Sequence, residues 1–193
     1  MAWNREKVGD PAVKVSALQW SISAMSDTTE RLAGVTAWDQ PRAFVLIGEA
    51  VWWITIVDAT LVRYHLVGAY DAVLADQTPA ERRLIEGALG GLRFVRNRIG
   101  DEVDLAEFIE PGPPGPGAGE GRVTGWTWNS VPEPALASLP PRAQSWEMTR
   151  YRAYQAQLAG HTIGEIFGRA VAFLKLTAAN APAITDISTH AAP

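Results

Sequence analysis

A run of twenty strongly apolar residues, 43–62, limits the possible folds of this chain more than any other feature of its sequence. The run is long enough to cross a bilayer as a helix. It carries Glu49 and Asp58, however, and Arg63 and His65 follow it within three residues. An aspartate at the centre of a membrane-spanning helix costs about 2.5–3.5 kcal/mol. We therefore expect residues 43–62 to form the buried central helix of a soluble bundle, and we expect no membrane as a partner.

Much of the remaining chain also shows helical periodicity. Its apolar side chains recur at intervals of three, four and seven residues, which places them on one face of a helix. These intervals predict helices over residues 11–34, 41–75, 79–99, 143–158 and 163–179. The sequence therefore predicts a mainly α fold, an up-and-down bundle of four to five long helices.

Two predicted helix starts have the sequence of a capping box. In this motif a threonine caps the helix, and a glutamate three residues later reaches back to the cap. The first is Thr78 with Glu81, and Pro79 occupies the first helical position between them. The second is Thr162 with Glu165. Each pattern predicts a helix that begins at the residue after the threonine.

A Pro/Gly-rich segment, residues 111–121, separates the first helices from the last two. It has no apolar side chain larger than alanine, so we expect a flexible surface loop. Residues 101–109 are predicted to form a short acidic helix or turn. The segment with Trp126 and Trp128 is predicted to form a short strand or hairpin. The two helices after the loop are too few to form an independent hydrophobic core, so we expect a single domain. Its parts are helices in 10–110, the loop 111–121, an extended segment and two helices in 122–179, and a frayed tail in 180–193.

Charge and composition exclude several classes of function. The net charge is −4 and there is no cysteine, which argues against a global attraction to nucleic acid and against disulfides and thiolate metal sites. The first ten residues lack the apolar core of a signal peptide, and we expect a cytoplasmic protein. Eight tryptophans indicate a large core or a buried interface. One concentration of positive charge remains, and it consists of Arg82, Arg83, Arg93, Arg96 and Arg98.

DNA is not expected as a partner. Residues 159–170 resemble the middle of a helix-turn-helix, with Gly168 at the turn. The helix that would then read DNA, residues 170–176, is almost entirely apolar. It lacks the polar side chains that would bind base edges and phosphates. A helix hairpin that packs into the core accounts better for this segment.

The main lead to a function is the stretch of residues 91–101, which contains Arg96, Asn97 and Asp101. It resembles the signature of the HEPN superfamily, a group of helical bundles that includes toxins and RNases of defence systems. In that signature an arginine, commonly followed by asparagine, stands five residues before a histidine. The resemblance implies that the arginine stabilises the charged transition state of RNA cleavage while the histidine moves a proton. It implies metal-independent chemistry, and no cofactor is expected.

Asp101 stands where the signature has histidine. A carboxylate cannot replace the cation, and it is a poor proton donor at neutral pH. The resemblance therefore implies a degenerate site that binds RNA or a protein partner. If the chain is an enzyme, it implies a metal-independent endoribonuclease that uses Arg96, Asn97 and Asp101. In a purely structural alternative, Arg93, Arg96 and Arg98 form an exposed helix end, where positive charge is favourable.

A second group of polar residues lies in the second predicted helix. Asp58 and His65 are seven residues apart and share one helical face, and Glu49 lies nine residues before Asp58. Buried carboxylates need cationic partners, which the arginines of the third predicted helix would supply. Asp58 or Glu49 would then orient Arg96, or form an ion pair that holds two helices in register. The three histidines are scattered, so no metal site is predicted.

Three functions remain open from the sequence. The first is a HEPN-like homodimer of a bacterial defence or stress system, in which Arg96 and Asn97 contact RNA phosphate or a partner and Asp101 replaces the histidine. Arg93 and Arg98 are further candidate binding residues. The second is a non-catalytic structural protein whose Trp-rich surfaces form a homodimer or a hetero-complex. The third is an enzyme with a small-molecule pocket near Asp58 and His65.

Overall fold

The computed structural model describes residues 11–35, 39–63, 67–99, 105–112 and 125–181. The helices in these ranges are α1 (Pro11–Ala33), α2 (Gln40–Arg63), α3 (Val67–Ala75), α4 (Pro79–Ile99), α5 (Pro141–Gln157) and α6 (Ile163–Ala179). The remaining elements are a 3₁₀ turn (Leu105–Glu107) and two strands, β1 (Ile109–Pro111) and β2 (Trp126–Trp128). The mainly α helical bundle predicted from the sequence is confirmed. Residues 113–121 of the predicted loop, 101–104 of the predicted acidic turn and 182–193 of the predicted tail lie outside the described ranges.

The apolar run of the sequence forms the central helix, α2. This helix packs against α1, α4 and α6. Its buried apolar side chains are those of Ala43, Leu46, Ile47, Ala50, Val51, Ile54, Val57 and Leu61. Within the described ranges, one helical stretch is long and apolar enough to cross a membrane. This stretch is Gln40–Val62, and 50% of its most apolar part is buried inside the bundle. Packing inside the bundle therefore accounts for about half of this apolar surface.

The sequence predicts one continuous helix over residues 41–75, and this prediction is wrong. α2 ends at Arg63 and α3 begins at Val67, while residues 64–66 lie outside the described ranges. A straight helix rises 1.5 Å per residue, so Asp58 and Tyr70 would lie about 18 Å apart along its axis. In the structure the hydroxyl of Tyr70 donates a hydrogen bond to Oδ1 of Asp58 at 3.1 Å. Asp58 and Tyr70 therefore do not lie on one straight helix, and α2 and α3 are separate helices.

Both predicted capping boxes stand at helix starts. The backbone N–H of Glu81 donates to Oγ1 of Thr78 at 3.2 Å, and that of Glu165 donates to Oγ1 of Thr162 at 3.3 Å. Each threonine satisfies an N–H group that the first turn of a helix leaves without a helical partner. The predicted starts of α4 and α6 are therefore confirmed. α5 begins two residues earlier than predicted, because Pro141 suits a first helical turn.

The predicted extended segment forms β2, and its partner β1 is a strand that the sequence does not predict. The two strands are antiparallel, with Pro111 opposite Trp126. The N–H of Gly112 extends the pairing to the carbonyl oxygen of Gly125 at 2.8 Å. Pro111 is therefore part of a strand, although the sequence predicts a loop from this residue. Residues of β2 also bridge to the connection between α5 and α6, so the small sheet fixes the start of α6.

Three glycines of α4 face α5 and allow a close contact between the two helices. An added Cβ would meet Gln157 at Gly87, Ala153 at Gly90, and Leu158 and Tyr154 at Gly91. Phe94, one turn further along α4, packs against the rings of Tyr151 and Tyr154. The segment after the Pro/Gly-rich loop thus packs onto the first helices. α6 adds to the same core by packing on α2 and α4.

Gly91→Ala should destabilise the fold, because the added methyl group would lie 2.5 Å from Cδ1 of Leu158 and 3.0 Å from Cα of Tyr154. Overpacking of this kind costs about 1–3 kcal/mol. Gly168→Ala on α6 is the matched control, since an added Cβ there meets nothing within 4 Å. It should raise stability by up to about 1 kcal/mol. Urea titration measures the free energy of unfolding of both variants, and equal effects would contradict the close contact between α4 and α5.

Candidate functional site

The Arg-Asn pair lies in the last turns of α4, and its two side chains face different surfaces. Neighbouring residues of a helix are about 100° apart around its axis. The guanidinium carbon of Arg96 lies 4.8 Å from the ring centre of Trp52 on α2, which is a cation–π contact. Arg96 is exposed, and Trp52 is 50% exposed. Asn97 instead contacts Glu147 on α5.

Two of the predicted site residues, Asp101 and His65, lie outside the described ranges. The structure therefore gives no position for the residue that replaces the histidine of the HEPN signature. The role of Asp101 beside Arg96 and the role of His65 beside Asp58 stay predictions.

Asp58 is fully buried and lies at the centre of a cluster that joins three helices. Its Oδ2 accepts a hydrogen bond from Nε of Arg93 at 2.6 Å and lies 2.5 Å from Nη2, while its Oδ1 accepts from Tyr70. Burial raises the pKa of Asp58, and the Arg93 guanidinium opposes this rise. Burial also raises the pKa of Tyr70, so its hydroxyl remains a donor. The cluster ties α2 and α3 to α4.

Asp58 and Glu49 have partners other than Arg96. Asp58 pairs with Arg93, and Oε2 of Glu49 lies 3.7 Å from Nη1 of Arg31 on α1. The side chain that contacts Arg96 is that of Trp52, whereas the sequence predicts a carboxylate there. In the described part of the chain, the two carboxylates thus hold helices together and do not orient Arg96.

Asn97 holds a buried carboxylate across the contact between α4 and α5. Its Nδ2 donates to both carboxylate oxygens of Glu147, at 3.4 and 3.2 Å. Nη1 of Arg150 donates to the same carboxylate at 3.0 Å. Glu147 is only 7% exposed, and a buried carboxylate requires such partners. Two donors on different helices therefore fix the direction of the Glu147 carboxylate.

An open cavity of about 320 Å³ lies beside this cluster. Its wall consists of Asn97, Arg98, Ala135, Leu136, Ser138, Leu139, Ala143, Trp146, Glu147 and Arg150. Trp146 is 54% exposed, and the guanidinium carbon of Arg142 lies 4.7 Å from its ring centre. The cavity therefore combines an exposed aromatic ring, the positive charge of arginines and one carboxylate.

Positive charge is concentrated on α4 and α5. These two helices contain eight arginines and three glutamates, a net charge of +5, in a chain whose net charge is −4. Charge interactions at a protein surface are largely screened beyond about 8–10 Å at physiological salt, so the local charge decides what a surface attracts. At the cavity itself the charged residues are Arg98, Arg150 and Glu147 of the wall and Arg142 against Trp146, which gives a local net charge of +2.

Sequence reasoning identified Asn97 and Arg98 but missed their neighbours on α5. Trp146, Glu147 and Arg150 follow about fifty residues later, beyond the Pro/Gly-rich loop. The available signal was the composition of α5, which carries three arginines and a single glutamate. Tertiary packing decides which face of α5 contacts α4. The residue pattern alone does not predict that face.

Two further cavities lie away from this site. One of about 470 Å³ lies between α1, β2 and α6, and one of about 490 Å³ lies between α4 and α6. Neither Asp58 nor Trp52 is in the wall of any of the three cavities, and the predicted small-molecule pocket near Asp58 and His65 stays a prediction. Among the described residues, no group of three histidines or carboxylates is placed to hold a metal ion.

No protein-family model matches this chain, and no curated protein or solved structure matches it. The resemblance of residues 91–101 to the HEPN signature therefore stays a prediction.

Arg93→Met should destabilise the fold strongly, because it leaves the carboxylate of Asp58 buried without its cation. The expected cost is about 3 kcal/mol, the lower end of the range for a buried pair. The lower end applies because 37% of the Arg93 side chain is exposed. The double variant Asp58→Leu with Arg93→Met removes both charges and should recover much of this loss. Urea titration of the two variants gives the comparison, and a single variant as stable as the double variant would contradict the pairing.

Proposed function

We propose that this chain is a HEPN-like helical protein of a bacterial defence or stress system, located in the cytoplasm, with a degenerate RNase-type site that binds single-stranded RNA. The RNA lies in the cavity between α4 and α5. One observation carries the proposal: the exposed ring of Trp146 lines the same open cavity as Arg98 and Arg150. The resemblance of residues 91–101 to the HEPN signature favours RNA, since Asn97 and Arg98 of that stretch line the cavity.

Single-stranded RNA fits this combination of side chains better than a duplex does. An unpaired base can stack on an aromatic ring, and each such contact is worth about 1–3 kcal/mol. Guanidinium groups bind phosphate with charge-assisted hydrogen bonds. A duplex offers its phosphates but keeps its bases stacked on each other. The ring of Trp146, which has Arg142 on one face, would then contact no base.

The site favours binding over cleavage. Cleavage at a ribose hydroxyl needs a group that transfers a proton, placed beside a cation. The cavity wall, which consists entirely of described residues, contains no histidine, and its one carboxylate, Glu147, is already held by Asn97 and Arg150. Arg96, the arginine of the signature, contacts Trp52 on another side of α4. These features support a site without turnover.

Trp146→Ala should weaken the binding of a labelled single-stranded RNA about tenfold, because it removes one stacking contact. Fluorescence anisotropy in EDTA measures the Kd. Arg152→Gln is the matched control for charge, since it removes an exposed arginine of α5 that is outside the cavity wall. It should change the Kd much less than Arg150→Gln does. Failure of the wild-type chain to bind any RNA would contradict the proposed function.

The same RNA, analysed on a denaturing gel after incubation in EDTA, should remain intact. Arg96→Ala is the comparison for this experiment. Cleavage by the wild-type chain that Arg96→Ala abolishes would contradict a degenerate site and support an active metal-independent endoribonuclease.

A homodimer through α2 is a second candidate function, and exposed apolar side chains favour it. Val45 and Trp52 lie seven residues apart on one face of α2, and Trp20 of α1 is 73% exposed. Large exposed apolar residues that share one helical face, as Val45 and Trp52 do, are typical of an interface. A two-fold dimer buries the same surface of both copies, which suits a face of a single long helix. A hetero-complex through this face is the alternative.

Trp52→Glu should convert the dimer to a monomer, because it places a charge in the centre of the proposed interface. Leu176→Glu on α6 is the matched control, since Leu176 is also an exposed apolar residue and is not on α2. Sedimentation equilibrium gives the mass of each variant. A wild-type chain that sediments as a monomer would contradict this second function.

A further inference from the structure

The exposed face of α2 has opposite charges along its two edges. Its middle is apolar, with Val45 60% exposed and Trp52 50% exposed. At about 100° per residue, Glu49 lies about 40° to one side of Val45 and Trp52 about 20° to the other side. Arg96 of α4 lies over the ring of Trp52, and Glu49 lies beside Arg31 of α1. The α4 edge of this face is therefore positive, and a carboxylate lies at its α1 edge.

Both charges are available to a partner. The side chain of Glu49 is 43% exposed, and its carboxylate lies 3.7 Å from Nη1 of Arg31, which is longer than a hydrogen bond. An exposed ion pair of this kind contributes little to stability. Arg96 is exposed, and within the part of the chain that the structure describes its one contact of this kind is with the ring of Trp52. Its N–H groups therefore have no acceptor among the described residues.

A two-fold dimer through this face can be arranged in two ways. If the axis runs across α2, the two copies of the helix are antiparallel, and each edge lies opposite the same edge of the partner. Arg96 then lies near the partner's Arg96, and Glu49 near the partner's Glu49, which is repulsive. If the axis runs along α2, the copies are parallel, and the α4 edge of one lies opposite the α1 edge of the other. Opposite charges then meet at both edges.

We propose, on the basis of the homodimer named above as the second candidate function, that the two copies of α2 are parallel and that Arg96 of each copy pairs with the partner's Glu49. In a parallel pair of helices, residues at the same height meet, and contacts repeat every seven residues. Val45, Trp52 and Ala59 have this spacing, and Ala59 is also exposed. Each of the three packs on the same residue of the partner. The ion pairs at the two edges set the direction of the helices, as charged residues beside the contact do in coiled coils.

The chain has no cysteine, so single cysteine variants report which residues meet. Under mild oxidation, Val45→Cys should form a disulfide-linked dimer by itself on a non-reducing gel, and so should Ala59→Cys. In an antiparallel dimer centred on Trp52, residue 45 would lie about 21 Å along the helix from the partner's residue 45, too far for a disulfide. Ala156→Cys is the matched control, since Ala156 is an exposed alanine of α5, and it should not cross-link.

Charge reversal tests the ion pairs separately from the apolar contact. Arg96→Glu or Glu49→Arg alone places like charges at both edges, so each should raise the Kd of the dimer about tenfold in sedimentation equilibrium. The double variant restores opposite charges and should recover most of the wild-type Kd. A double variant that dimerises as weakly as the single variants would overturn the pairing of Arg96 with Glu49.

The wild-type chain separates failure of this arrangement from failure of the dimer itself. If it dimerises but neither Val45→Cys nor Ala59→Cys cross-links by itself, the parallel arrangement is wrong and the homodimer remains. Cross-linking only in a mixture of the two variants would identify the antiparallel dimer. A wild-type chain that sediments as a monomer would overturn both the arrangement and the second candidate function.

Discussion

The contact between α4 and α5, where three glycines take the place of side chains, joins the two parts of the chain that form the candidate site. Glycine in the middle of a helix costs about 0.5–1 kcal/mol relative to alanine, so Gly87, Gly90 and Gly91 are costly for α4 taken alone. Because these glycines have no Cβ, α5 can approach α4 closely, and Tyr154 and Leu158 pack directly on the glycines. The same closeness brings the end of α4 within hydrogen-bonding distance of α5, and the candidate site lies at this end.

The buried pair of Asp58 and Arg93 then decides which way the end of α4 faces. Because Arg93 is held by Asp58 on the α2 side, the rotation of α4 about its axis is fixed. Asn97, one turn later, consequently reaches Glu147, while Arg96 lies over Trp52. Two neighbouring residues of one motif are thereby separated onto two surfaces. One surface is a cavity with arginines and an aromatic ring, and the other is an exposed apolar face of α2.

The sequence predicted those parts of the fold that depend on local chemistry. The two capping boxes at Thr78 and Thr162 gave helix starts correctly, because a cap is a contact between residues three positions apart. The break between α2 and α3 was missed, since it depends on a hydrogen bond between Tyr70 and Asp58 that no local pattern reveals. Strand β1 was missed for a similar reason, as its pairing crosses the Pro/Gly-rich loop. Of the candidate site, the part on α4 was predicted from the Arg-Asn pair, and the part on α5 required the packed structure.

Ultraviolet cross-linking of the full chain to a labelled single-stranded RNA tests whether RNA binds in the cavity between α4 and α5. Tryptophan rings that stack on a base cross-link to it, and mass spectrometry identifies the peptide that carries the RNA. The label is expected on α5 at Trp146, and Trp146→Ala should lose it. Labelling of Trp52 on α2 or Trp20 on α1, with none on α5, would contradict it.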